Sequence, residues 1–277
     1  MMGKSGRKAA LYAALSAIVF VNLLPLIIVL SSSLRSPGNM TNPLRLFIEF
    51  TPQSYEIAFN RMNFTSALLN SALQTGISVV VVVVITSMLA YPLARIRSKL
   101  SSALYFFFLA GLIIPGQMAI LPIVQTMKEW GITMGNYTPV FLFITCSIPF
   151  SSFLYTGFIR ASVPYEIEEA AIIDGANLFA RFWLIVFPLI LPATVAVVIT
   201  QGVWIWNDYF YNMIFVTDTS QYTLPLAMLG FTGDSTNPAQ WNILFAACML
   251  CAAPLVIVFL FLQRYFISGL AAGSVKG

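Results

Sequence analysis

Few side chains in this chain can do chemistry, and their types narrow that chemistry at once. Histidine is absent from all 277 residues, which removes imidazole acid/base catalysis, histidine triads and most zinc or haem ligation. The three cysteines, Cys146, Cys248 and Cys251, lie in apolar stretches. The Cys248-x-x-Cys251 spacing places two small residues on one helix face, and no further Cys or His completes a metal or redox site. No carboxylate pair falls within an apolar stretch, and no Gly-x-x-x-x-Gly-Lys-Ser/Thr loop is present to cradle a nucleotide phosphate. Two groups remain. One is a set of amides, an indole and a single acid in largely apolar surroundings: Gln117, Gln201, Trp204, Asn207 and Asp208. The other is an acidic run, Glu166, Glu168, Glu169 and Asp174, which holds four of the chain's ten acids.

The elements that position these groups belong to a membrane. Hydrophobic residues make up 59% of the chain and charged residues 9%, against about a quarter charged in a soluble domain, so lipid must cover most of the surface. That excludes a cytosolic enzyme, a disordered chain and a nucleic-acid binder reading through a basic face, despite the net charge of +4. Six charge-free windows stand out: 9–34, 62–94, 100–127, 130–159, 182–207 and 235–263, each of 26 residues or more. A membrane helix needs about 20, so the sequence predicts six spans. The first apolar run is too long for a signal peptide's core of about 7–15 residues and reads as a retained span. The run Val79 to Val84 reads as helix, because an open strand cannot satisfy its backbone in lipid.

Cations set the orientation, since cytoplasmic flanks are enriched in Lys and Arg. With the N-terminus inside, ten cations are cytoplasmic (Lys4, Arg7, Lys8, Arg95, Arg97, Lys99, Arg160, Arg181, Arg264 and Lys276) and four are outside (Arg35, Arg45, Arg61 and Lys128). Both termini are then cytoplasmic. The first outer loop, about Arg35 to Asn63, includes a short helix around Tyr55 to Phe59; the last, about Val216 to Asn242, carries only the acids Asp218 and Asp234.

The acidic run lies in the cytoplasmic loop between the fourth and fifth windows. Pro164 suits a helix's first turn, and Glu166, Glu168 and Glu169 suit its positive pole. Gly175 can take the left-handed conformation that ends a helix, and Asn177 can cap the next. Against Arg160 and Arg181 the loop keeps a charge of −2 where the orientation rule expects cations, and anionic lipid would repel it. Ile167, Ala170, Ala171, Ile172 and Ile173 exceed what a solvated connector needs. Two readings fit: an interfacial helix packed on its own bundle, or a surface closely approached by another protein.

The pattern Glu169-Ala170-Ala171, three residues, Gly175, nine residues, Ile185-x-Phe187-Pro188 resembles the EAA signature of ABC-importer permeases; six of seven specified positions agree, and Phe187 replaces the usual Leu. Asn70-Ser71, the run Ala90 to Arg95, Ile148-Pro149-Phe150, the run Trp206 to Tyr209, the run Gln263 to Phe266 and the terminal run Gly269 to Gly277 are similar to the carbohydrate-uptake branch, specifically the smaller permease of maltose-type importers. Asp208 stands where relatives usually have Glu, and Ser274 departs from the usual terminal run. The resemblance implies an all-α polytopic protein of six transmembrane helices in the type-1 ABC importer permease fold. It further implies a coupling helix at about 164–176, with Glu168, Glu169, Ala170, Ala171, Asp174, Gly175, Ile185 and Pro188 in ATPase coupling. The expected partners are a second permease subunit, an ATPase dimer that binds ATP and Mg, an extracytoplasmic solute-binding protein, a sugar and membrane lipid. No cofactor is expected on this chain. The expected location is the bacterial inner membrane.

On this reading the chain divides into 1–65 (first span and first outer loop), 66–267 (permease core) and 268–277 (cytoplasmic tail). Asp208 lies 23 residues after Ile185, about 35 Å along a straight helix at ~1.5 Å per residue. That places it near the outer interface, as part of an external gate or simply in water. Gln201, Trp204 and Asn207 lie deeper and are candidates for a solute path, with an aromatic belt or lipid contact as the other reading of Trp204. Pro115-Gly116-Gln117 breaks the third window and makes Gln117 a cavity candidate. No Lys or Arg lies inside the six windows, which favours a neutral polar solute. The rival reading, a self-sufficient secondary transporter, calls for charged relay residues at mid-membrane and paired broken helices in two halves, and the sequence shows one break.

Overall fold

The computed structural model describes residues 4–39, 42, 44–132, 134–233 and 240–274, and every described regular element is helical. In chain order the helices are α1 (Lys4–Ser33), α2 (Gln53–Arg61), α3 (Phe64–Arg95), α4 (Lys99–Ala110), α5 (Ile120–Glu129), α6 (Thr138–Ser162), α7 (Tyr165–Ile173), α8 (Leu178–Leu189), α9 (Leu191–Trp206), α10 (Phe210–Phe215), α11 (Leu224–Met228) and α12 (Trp241–Ser274). Asp234 and Lys276 lie outside the described residues, as does the tail beyond Ser274. Four stretches are long and apolar enough to cross a membrane, Ala10–Ser33, Phe64–Arg95, Thr138–Ser162 and Trp241–Phe261, and α8 with α9 forms a bent pair that passes the same test. The valine run lies wholly inside α3; lipid offers its backbone no other partner than the helix itself.

Two compact units emerge. One comprises residues 1–65 with 227–254, the other 66–226 with 255–277. In the first unit the outer loop after α1 is tied down by polar contacts. Arg35 is buried and donates to the carbonyls of Asn42 and Arg45, while Ser54 Oγ donates to Arg35 O at 2.7 Å. The Ser36 N–H, the Asn39 amide and the Ser36 hydroxyl all donate to Glu49, and together they hold its carboxyl below the usual carboxylate range. Asn242 Nδ2 donates to Ser36 O and Asn39 O, both at 2.8 Å. The helix expected near Tyr55 is α2.

In the second unit the core is built by Val82, Phe143, Tyr155, Ile159, Val186, Ile190 and Val197, all fully buried. Between membrane helices there is no water to expel, so close packing of small side chains carries association. Accordingly α6 buries Ser147, Ser151, Ser152 and Thr156 beside Phe143 and Tyr155.

The third window is broken as its Pro-Gly pair suggested, and the fifth departs from the straight span expected of it. The third window is two short helices, α4 and α5, separated by turns from Gly111 and a 3-10 turn at Gly116–Ala119. Pro115 withdraws a backbone donor there, and a Cβ on Gly116 would stand 2.5 Å from Tyr211 Oη, so the turn packs against Tyr211 at a position with no room for a side chain. The fifth window bends by 74° between α8 and α9. Pro188 and Pro192 flank Ile190 and each removes a ladder hydrogen bond, and residues Phe182–Val186 just before them are wound as a π-helix. Tyr155 Oη donates to Thr194 Oγ1 at 3.1 Å and braces the bend from α6. The bend overturns the straight-helix estimate of the depth of Asp208, and it adds a second broken span to the one the sequence showed.

Candidate functional site

The acidic run folds as expected in outline and differently in one residue. Pro164 is extended and precedes α7. At the other end Gly175 has φ +81°, Gly175 N–H donates to Ile172 O at 3.0 Å, and Ala176 N–H donates to Ala171 O at 2.9 Å. These bonds form a Schellman closure that a side chain with a Cβ resists. Asn177 Oδ1 then accepts from Ala180 N–H at 2.8 Å and starts α8. Glu169, Ala170, Asp174 and Gly175 are exposed, as are Ile172, Ile173, Leu178 and Phe179. Ile185 is half-buried in the π segment, and Pro188 is exposed.

Glu168 points the other way, together with Ala171, and is 2% exposed. Its Oε1 accepts from Arg95 Nε at 2.8 Å and lies 2.6 Å from Arg95 Nη2, while its Oε2 accepts from Tyr91 Oη at 2.6 Å. Arg95 Nη2 also donates to Val163 O at 2.8 Å. The helix α7 is thus fastened to the end of α3 by a buried ion pair that local sequence did not reveal. Its outer face remains uncovered, with the acids Glu166 and Glu169 among small and apolar side chains.

Replacing Gly175 by Val forces a β-branched residue into the left-handed region, at a cost of about 1–2 kcal/mol. This change is expected to speed amide hydrogen exchange over residues 171–177, with Gly175→Asn closer to wild type. Equal rates for the two variants would show that the turn's conformation is irrelevant.

The second candidate group converges. Gln117, Trp204, Asn207 and Asp208 line one open cavity of about 520 Å³, completed by Val203, Tyr209 and Phe210. Gln201 is buried in α9 and does not line it. The break at Pro115 brings Gln117 to the end of α9. There Asn207 closes the helix, its Nδ2 donating to Val203 O at 2.8 Å. Asp208 Oδ1 accepts from Tyr211 N–H at 3.1 Å and Asn212 N–H at 3.3 Å, capping α10. Trp204 stands edge-on to Phe143, ring centroids 5.7 Å apart. The lining offers two amides, ring faces and one carboxylate, with no cation.

Sequence reasoning missed the amide network next to this cavity. Gln74 Nε2 donates to Asn136 O at 2.8 Å, to Asn136 Oδ1, and to Asn212 Oδ1 at 3.0 Å. Asn136 Nδ2 donates to Asn70 Oδ1 at 3.1 Å and Asn136 N–H to Gln221 Oε1 at 3.0 Å. Asn70 Nδ2 donates to Ser220 O and Tyr222 O, both at 3.1 Å, and Ser71 Oγ accepts from Leu224 N–H at 2.9 Å. Beside it Asp218 Oδ1 accepts from Ser220 N–H at 2.9 Å, which holds that carboxyl below its usual range. The one available signal was Gln74 itself, a polar residue inside an apolar span.

Comparison with known proteins places the whole chain. A family model described as binding-protein-dependent transport system inner membrane component matches residues 83–271. The melibiose/raffinose/stachyose import permease protein of Bacillus subtilis (strain 168) is 34% identical over 274 residues, 99% of this chain and 98% of that protein. A probable starch degradation products transport system permease protein of Thermoanaerobacterium thermosulfurigenes is 30% identical over 253 residues, 91% of each. Among solved structures, a chain of a bacterial ABC transporter involved in the import of the acidic polysaccharide alginate superposes with a TM-score of 0.78 at 20% identity, covering 96% of this chain and 99% of that one. This last likeness is one of fold.

Proposed function

Because the chain belongs to the binding-protein-dependent transport system inner membrane components, we propose that it is the permease subunit through which a neutral sugar or oligosaccharide enters the cytoplasm. The observation that carries the choice of solute is the cavity joining Gln117, Trp204, Asn207 and Asp208. Amides meet hydroxyls, aromatic faces meet the apolar faces of a sugar ring, and no cation is present to select an anion. The names of the relatives, import permeases for oligosaccharides and starch products, support the same class.

In this reading the chain crosses the bacterial inner membrane six times with both termini inside. The crossings are the four long helices, the α4–α5 segment and the bent α8–α9 pair. It pairs with a second permease subunit and receives solute from an extracytoplasmic binding protein. ATP and Mg are bound and ATP is hydrolysed on a separate ATPase dimer, whose closure is transmitted through Glu169, Ala170, Ala171, Asp174 and Gly175 on α7 and its turn, with Glu168 holding α7 to α3. Ile185 and Pro188 set the bend that carries this motion into the span, and access alternates between the two sides. Two broken spans meet part of what a secondary transporter calls for, yet charged relay residues at mid-membrane are lacking among the described spans, and the family decides against that rival.

The test is uptake of labelled oligosaccharides by the assembled transporter in vesicles. Trp204→Ala and Asn207→Ala are each expected to lower uptake about fivefold, the loss of roughly 1 kcal/mol of contact, with basal ATP hydrolysis retained. Uptake that persists without ATP but stops when the proton gradient collapses would overturn the assignment, and unchanged uptake in both variants would remove the cavity from the path.

A further inference from the structure

We propose that a basic cavity between the end of α3 and the start of α4 holds the phosphate of an anionic phospholipid. The cavity, about 690 Å³, is lined by Arg95, Arg97, Ser98, Lys99, Ser102 and Arg160 among others, and no carboxylate lines it. A neighbouring cavity shares Ala94, Arg95, Arg97 and Arg160 and includes Glu166. The charge of Arg95 is met by Glu168. Arg160 spends one N–H on Leu93 O at 2.8 Å and lies 5.0 Å from the centroid of the Tyr105 ring, and neither contact neutralises it. Arg97 and Lys99 are exposed. Three positive charges therefore converge on one concavity without an internal counter-charge.

The backbone adds to them. Ser98 is extended and caps α4, its Oγ accepting from Ser101 N–H at 3.0 Å. The helix carries no acid in its first turn, so its positive pole, at the end where Ser98, Lys99 and Ser101 line the cavity, is not offset. Ser101, buried to 8% exposure, and Ser102 line the cavity with hydroxyls. Cations on cytoplasmic flanks also orient a membrane protein; that role explains their sign and leaves their convergence unexplained.

A soluble phosphate and a lipid headgroup share this chemistry, and the surface below the cavity favours the lipid. Leu100, Leu104 and Phe107 are exposed by 69%, 41% and 71%. They recur at i, i+4 and i+7, one stripe of the helix, leading away from the cationic end. A phosphodiester seated at Arg97, Lys99 and Arg160 would lay its acyl chains along that stripe, as basic pockets between spans do with acidic lipids.

The test is native mass spectrometry of the full-length chain taken from bilayers of equal parts phosphatidylglycerol and phosphatidylcholine. Wild type is expected to retain phosphatidylglycerol preferentially. The double variant Arg97→Gln/Lys99→Gln should bind it about 30-fold more weakly, each cation near the membrane being worth roughly a factor of five, whereas Arg97→Lys and the remote Lys128→Gln retain it. Equal retention of the two lipids, or no loss in the double variant, overturns the proposal. Displacement by dissolved inorganic phosphate with no lipid retained makes the source a free anion and overturns the lipid assignment. If the assembled transporter retains no phosphatidylglycerol and the double variant sheds the ATPase, the cavity docks protein, and the proposal fails equally.

Discussion

Glu168→Ala, with Arg95 left in place, is expected to be the most damaging single substitution around α7, costing about 3–5 kcal/mol. The deletion leaves Arg95, 16% exposed, without its counter-charge, and leaves the Tyr91 hydroxyl without an acceptor. It also loosens α7 from α3, because the bond from Arg95 to Val163 O and the Arg95 guanidinium 5.8 Å from the Tyr165 ring centroid are weaker ties than the ion pair. Thermal unfolding of the purified transporter should shift down, and, on the coupling role proposed for α7, uptake should fall further than stability alone explains. The double variant Arg95→Met/Glu168→Leu separates the two effects. Two apolar side chains of similar volume replace a buried ion pair at little cost, so stability should return. If Glu168→Ala unfolds and transports like wild type, the pair is an incidental contact.

Legibility in the sequence followed the range of the interaction. The turn at Gly175 and the cap at Asn177 are set by residues within five positions of each other, and both could be read in advance. The helical state of the valine run was equally plain, because lipid leaves one choice. Glu168 was grouped with its exposed neighbours because its partners are 73 and 77 residues away; only its spacing of three from Ala171 hinted at a shared inner face. The bend at Ile190 was missed for a different reason. Pro188 reads as the last position of the signature and Pro192 as an ordinary kink, while two prolines four residues apart, with the π segment before them, leave the ladder too weak to hold a straight helix. The convergence of Gln117 with Asn207 and Asp208 could be expected only as chemistry, since about 90 residues separate them and the geometry rests on that bend and the one at Pro115.

The amide network at the other end of the second unit carries the second large effect. Gln74→Leu nearly conserves volume and removes the donor that Asn136 O, Asn136 Oδ1 and Asn212 Oδ1 share. Each buried acceptor left unmet costs at most about 1–3 kcal/mol, while hydrogen bonds between membrane helices average nearer 0.6 kcal/mol. The higher figure applies better here. Gln74 is 2% exposed, and one of its partners, Asn136, belongs to a connecting segment that has no helical ladder to fall back on. Asn136 in turn holds Asn70, which fixes the carbonyls of Ser220 and Tyr222, so loss at Gln74 reaches the loop before α11. Amide hydrogen exchange should therefore accelerate over residues 219–224 as well as 135–138. Through Asn212, whose N–H meets Asp208, the cavity proposed for the solute should loosen too, lowering uptake about tenfold if a full 1.4 kcal/mol is transmitted. Because the members share partners, Gln74→Leu combined with Asn136→Ala should cost less than the sum of the two. Strict additivity, or exchange confined to residues 135–138, would show that the amides act as separate contacts and that the loop is held by other means.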